Sequence, residues 1–82
     1  MDQQKVALVT GAGAGIGRAI ALRLAADGYW VAVNGRRAEN VTETVEMVHA
    51  AGGQAKDYVA DVSQEPQVNE MVQQILQKKG RI

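Results

Sequence analysis

Apolar positions along this chain follow two rhythms that alternate. Residues 5–10, KVALVT, form a short apolar run rich in β-branched side chains that stops at a glycine cluster, the pattern of a strand covered on both faces. Ile16, Ile20 and Leu24 then recur at i, i+4, i+8, with Ala19, Leu22 and Ala26 widening the face, which predicts a helix that Asp27-Gly28 brings to an end. Residues 29–34, YWVAVN, read as a second strand broken by Gly35-Arg36-Arg37. Val41, Val45 and Val48 mark a second helical face ending at Gly52-Gly53. A third strand is expected within residues 54–60. Ser63 is then a plausible N-cap, with Pro66 in the first turn, for a helix lined by Val68, Met71, Val72, Ile75 and Leu76. Lys78 and Lys79 suit the negative end of that helix's dipole.

The order β-α-β-α-β-α with short connections implies parallel strands joined by right-handed crossovers, that is, an α/β chain forming half of a doubly wound, Rossmann-like sheet. At 82 residues there is room for one small domain with a thin core. Nine Lys plus Arg balance nine Asp plus Glu, so no overall positive field points to nucleic acid or an anionic membrane. The absence of cysteine removes any disulfide framework, thiolate nucleophile or Cys-based zinc site, and the single His49 cannot build a metal site alone. No apolar stretch approaches a membrane span, the start MDQQK does not have the form of an export signal, and a cytoplasmic location is the expectation.

The chemistry concentrates in Thr10 to Gly17, TGAGAGIG, at the junction of the first strand and first helix. Glycine there removes the Cβ that would hold a pyrophosphate away from the backbone, and the free N–H groups of the first helical turn, at the positive end of its dipole, stabilise phosphate charge. The competing reading is a tight strand-to-helix turn with no ligand. The βαβ context of about 30 residues weighs toward a nucleotide. No Gly-Lys pair occurs, which excludes an ATPase-type P-loop, and strict GxGxxG fails because the sixth position is Ile16 from Gly11 and Arg18 from Gly13. What fits is TGxxxGxG through Gly11, Gly15 and Gly17.

In this motif the chain resembles the short-chain dehydrogenase/reductase family, in the single-domain branch that includes the 3-oxoacyl-acyl-carrier-protein reductases. The resemblance runs over residues 1–82, with VAVNGR at the end of the second strand and Asp61-Val62 after the third. It implies that the loop Thr10, Gly11, Gly13, Ala14, Gly15, Ile16 and Gly17 holds the cofactor, with Gly11, Gly15 and Ile16 against the pyrophosphate and adjoining ribose and Thr10 bracing the turn. By the same resemblance Asp61 faces the adenine amino group and Val62 lies beside the ring; the alternative for Asp61 is a solvated or capping carboxylate.

An NAD-selective pocket places an acid at the end of the second strand to accept hydrogen bonds from the ribose hydroxyls. Here that position is Gly35, which leaves room for a 2′-phosphate, while Arg36 and Arg37 supply cationic forks for it, Arg36 being the first choice. NADP(H) is therefore expected over NAD. Ala14 departs from the basic residue that NADP-using relatives often carry just before the second motif glycine.

The family reduces carbonyls or oxidises alcohols with Ser, Tyr and Lys, the last two as YxxxK on a later helix. Tyr29 and Tyr58 precede Val33 and Val62 by four residues, so neither begins that motif, and the 82 residues alone are expected to show no turnover. The expectation is thus an N-terminal dinucleotide-binding segment of a longer reductase of ketones or secondary alcohols, its chain stopping at Ile82 where a fourth strand would begin. The alternative is a stand-alone nucleotide-binding or self-associating module. With that strand absent, the first strand is an open edge, a ready site for pairing and homo-oligomer formation.

Overall fold

A computed structural model describes residues 4–82; the first three residues of the MDQQK start lie outside the described part. Along the chain run β1 (Val6–Val9), α1 (Gly15–Ala26), β2 (Trp30–Gly35), α2 (Ala38–Ala50), β3 (Gln54–Val59) and α3 (Glu65–Lys79). The strands form one parallel sheet in the order β1-β2-β3, with Val6 opposite Trp30 and Val31 opposite Ala55. Among the described residues β1 pairs only with β2, so its far side is an edge.

A central parallel strand is covered on both faces, and β2 is buried along its length as far as Asn34. Its alternation divides the core in two. Val31 and Val33 point to the face where α1 and α2 pack, together with Val9, Ala21, Ala25, Val41, Val45 and Val48. Trp30 and Ala32 point to the opposite face, where Met71 and Ile75 of α3 meet Val6, Tyr58 and Ala60. Trp30 and Tyr58 make an edge-to-face pair with centroids 6.4 Å apart, and the Lys79 ammonium lies 5.3 Å from the Trp30 ring centre. Each fully buried aliphatic side chain, such as Ile75 or Val31, contributes about 1.5–3 kcal/mol.

Two local expectations are corrected. Ile16 and Ile20 do not face the core: they are 81% and 46% exposed, whereas Ala21 and Ala25 are buried. The helix packs on the sheet through the small residues Ala21 and Ala25, with Leu22 and Leu24 partly buried against the same core, while Ile16 and Ile20 are left outside it. Nor does Ser63 cap α3. The N-cap is Gln64, without a side-chain cap bond, and Ser63 instead bonds Asp61. The helix start has moved one residue on, because an Asp-Ser turn closes first and Pro66 then occupies the first turn. At the other end Gly80 takes a left-handed φ of 79° and closes the helix with its N–H on the Leu76 carbonyl.

Candidate dinucleotide-binding site

Parallel strands bring every strand's carboxyl end, and the N-terminus of the helix that follows it, to one rim of the sheet. A cleft of about 430 Å³ opens there, within the range of small-ligand sites. Gly11, Gly13 and Ala14 form one wall, Gly35, Arg36 and Arg37 a second, and Asp61, Val62 and Ser63 a third. The structure therefore gathers Gly11, Gly13, Ala14, Arg36, Arg37, Asp61 and Val62, seven of the eleven residues expected to hold the cofactor, around one opening. Thr10, Ile16, Gly15 and Gly17 belong to the adjoining turn and do not line the cleft.

The turn is shaped by its glycines. Gly11 and Gly15 have φ of 61° and 58°, a region that L-residues rarely adopt, and a Cβ on either would project into open space. Gly17 is needed for another reason: a Cβ there would sit 2.7 Å from the Gly11 carbonyl carbon and 3.0 Å from the Ala12 Cα. Ala14 is the N-cap of α1, no side chain caps the helix, and no acid lies in its first turn. By contrast α2 carries Glu39 and α3 carries Glu65 in their first turns. The first-turn amides of α1, which have no intrahelical acceptors, thus start beside an open cleft with no acid in their own turn; the carboxylate that lines the cleft, Asp61, belongs to the wall that follows β3.

Residues not foreseen from the sequence hold this turn in place. Thr44, fully buried on α2, donates its hydroxyl to the Ala12 carbonyl at 2.8 Å and accepts from Arg18 Nε, also at 2.8 Å. Arg18 Nη2 donates to the Gly13 carbonyl at 2.6 Å and pairs with Glu43 at 2.7 Å. Asn34, 1% exposed, donates Nδ2 to the carbonyls of Tyr58 and Ala60 at 3.0 and 3.2 Å, while its own backbone carbonyl accepts from Ala12 N at 2.7 Å. One signal was available for Thr44 and Asn34: each is a polar residue in an apolar register, the first three positions after Val41 on the valine stripe, the second at the end of VAV. Arg18, in the middle of an ordinary helical sequence, carried none.

The cationic and acidic groups of the cleft touch loosely. Arg36 Nη1 lies 3.9 Å from Asp61 Oδ2, and the Arg36 side chain is largely exposed. Such a pair adds little stability and is easily exchanged for another partner. Hydrogen bonds fix Asp61 more firmly. The Ser63 hydroxyl and amide donate to Oδ1 at 2.6 and 2.9 Å, and the Gln67 side chain accepts from the Asp61 amide at 2.7 Å. The Ser63 hydroxyl, then the Ser63 amide, and to a lesser degree Arg36, hold the Asp61 carboxyl below its ordinary range against a smaller opposing effect of desolvation. A depressed carboxyl contributes stability that is present above the unfolded pKa and lost as pH falls through the folded one. Ser63→Ala should accordingly move the Asp61 titration upward in an NMR pH series, part of the way back because the amide bond remains. An unmoved titration would show that the hydroxyl is not the main donor.

Burial, aided by the neighbouring Asp57, raises the Tyr58 phenol, so it stays protonated through neutral pH. A His49 ring nitrogen lies 3.2 Å from the Ala55 carbonyl, a tie between α2 and β3 away from the cleft. Among the described residues no helix is long and apolar enough to cross a membrane.

Parallel strands, crossover helices and a glycine turn at the carboxyl end of the first strand define a Rossmann-like α/β unit. Residues 5–82 match the family model for short chain dehydrogenases, and the chain belongs to that family. It is 46% identical over 82 residues to a short-chain dehydrogenase/reductase of Armillaria gallica, covering 98% of this chain and 31% of that protein. It is 48% identical over 79 residues to the short-chain dehydrogenase/reductase homolog YusS of Bacillus subtilis (strain 168), covering 95% of this chain and 72% of that protein. A solved metagenomic short-chain oxidoreductase in complex with NADP superposes with a TM-score of 0.92 at 34% identity, over 96% of this chain and 36% of that one. The chain thus spans about a third of the first and third of these, and most of the second.

Proposed function

We propose that the chain is the NADP(H)-binding part of an oxidoreductase that moves hydride between the cofactor and a ketone or secondary alcohol. The observation that carries this reading is the α1 N-terminus: without a side-chain cap or a first-turn acid, with left-handed Gly11 in the turn before it and left-handed Gly15 as its first residue, and with its N-cap residue Ala14 on the cleft. These features fit a diphosphate, since bare amides and an uncompensated dipole end stabilise its charge and no Cβ stands in its way. The Thr10–Gly17 turn would hold the pyrophosphate and adjoining ribose, Arg36 and Arg37 the 2′-phosphate, and Asp61 with Val62 the adenine. Binding would exchange the long Arg36–Asp61 contact for one contact from each residue to the ligand. When bound, the cofactor supplies or accepts the hydride. The residues of this chain do the rest of what is proposed for them: they bind, orient and select the adenosine end.

The NADP complex of the metagenomic relative supports the choice of dinucleotide, as do the missing side chain at Gly35 and the two arginines beside it. In a calorimetric titration the chain should bind 2′,5′-ADP at least tenfold more tightly than 5′-AMP, and Arg36→Gln should remove most of that preference. Equal affinities would leave only a generic phosphate cradle.

A second reading, a self-associating module without catalysis in a cytoplasmic setting, is favoured by the unpaired edge of β1 and by the exposed Ile16 and Ile20. Light scattering on the same samples separates the two readings, since a monomer that binds 2′,5′-ADP fits the first alone.

A further inference from the structure

Position 35 lacks a side chain for a reason that lies outside the backbone. Gly35 is not among the glycines with positive φ, so an L-residue could adopt its conformation. Space is what forbids one. A Cβ built on Gly35 would lie 2.7 Å from Val41 Cγ2, with Gly13 N at 3.6 Å and Gly13 Cα at 3.9 Å behind it. Val41 cannot easily withdraw. It is fully buried, packs in the same cluster as Val9, Ala12 and Val33, and as a β-branched residue on a helix has one strongly preferred rotamer. The helix is held close as well, because the buried Thr44 hydroxyl ties α2 to the Ala12 carbonyl at 2.8 Å.

We propose that Val41 is a specificity-determining residue: its buried methyl keeps position 35 free of any side chain, and so free of the carboxylate that would repel a 2′-phosphate. This rests on the NADP(H) reading and deepens it. Dinucleotide choice is then set by packing between β2 and α2 as well as by the arginines, and replacing Gly35 alone cannot convert the site.

A double-substitution cycle tests the inference on the 82-residue chain. Gly35→Asp alone should lower the melting temperature by roughly 5–15 °C and weaken binding of both 2′,5′-ADP and 5′-AMP. Val41→Ala alone should lower it modestly and keep the preference for 2′,5′-ADP. Gly35→Asp combined with Val41→Ala should melt no lower than Gly35→Asp alone and should bind 5′-AMP about tenfold more tightly than 2′,5′-ADP. Gly35→Ala with and without Val41→Ala reads the same coupling without charge, should the aspartate variants not fold. Strictly additive melting shifts, or a Gly35→Asp protein that melts like the wild type and already prefers 5′-AMP, would overturn the role of Val41. A wild type with no preference for 2′,5′-ADP would instead remove the NADP(H) reading, and the melts, which need no ligand, would still show whether Val41 closes position 35.

Discussion

Asn34→Asp should yield a protein whose deficit in stability grows as pH rises from about 4 to 7. The wild-type amide, 1% exposed, donates to two carbonyls at once, those of Tyr58 and Ala60. An aspartate has an oxygen where that donor stood. Ionised, it would face two carbonyl oxygens in a buried site with nothing to offer them, so its folded pKa must lie above the unfolded value of about 3.9. Between these values the unfolded state binds fewer protons than the folded one, and stability therefore falls as pH rises. Near pH 4 the neutral acid can still donate to one carbonyl, and the cost should be about 1–3 kcal/mol. At pH 7 it should reach about 3–5 kcal/mol, the range for an uncompensated buried charge. For a domain of this size that approaches the whole folding free energy. Thermal melts followed by circular dichroism across this pH range provide the measurement. A deficit that does not change with pH would show that the side chain is not the two-carbonyl donor described.

Gly17→Ala sets two physical effects against each other. In an exposed helix interior alanine is preferred over glycine by about 1 kcal/mol, and Gly17 has no positive φ to protect. Propensity alone thus expects a more stable protein. Packing expects the reverse, because the new methyl would meet the backbone of Gly11 and Ala12, 2.7 Å from the Gly11 carbonyl carbon, and backbone has no rotamer to yield. Packing should win, with a loss of about 2–3 kcal/mol, a fall in melting temperature of more than about 10 °C, and loss of nucleotide binding as the turn is pushed open. A variant that melts at or above the wild type would show that α1 does not approach the glycine turn as closely as the structure has it.

How much could be read beforehand follows from which property decides each feature. Element order came from hydrophobic rhythm, and rhythm survives because β2 must be apolar on both faces and α2 on one, so YWVAVN and the Val41, Val45, Val48 stripe could hardly mean anything else. The face of α1 was misread because rhythm registers apolarity and overlooks size. Ile16 and Ile20 are among its most hydrophobic residues, yet the positions buried against the sheet are the small Ala21 and Ala25, with Leu22 and Leu24 partly buried against the same core. Ser63 was misread because its hydroxyl and amide both donate to the Asp61 carboxylate in a turn that closes before the helix, which puts Gln64 at the N-cap. The three walls of the cleft were legible through Gly11, Arg36 and Asp61 because each sits just after a strand. Of the braces behind them, Thr44 stood out only as a polar residue on the valine stripe, and its pairing with Arg18 spans 26 positions of sequence, a distance that no local pattern records.

The parallel arrangement has an electrostatic result that the formal charge of zero conceals. All three helices point their N-termini at one rim, and the basic residues of their last turns, Arg23, His49, Lys78 and Lys79, lie at the other end. Glu39 and Glu65 neutralise two of those three poles and leave the third, at the glycine turn, bare. A neutral molecule of this kind still has a direction: to an approaching anion its glycine-turn rim offers the bare helix end and, beside it, the exposed Arg36.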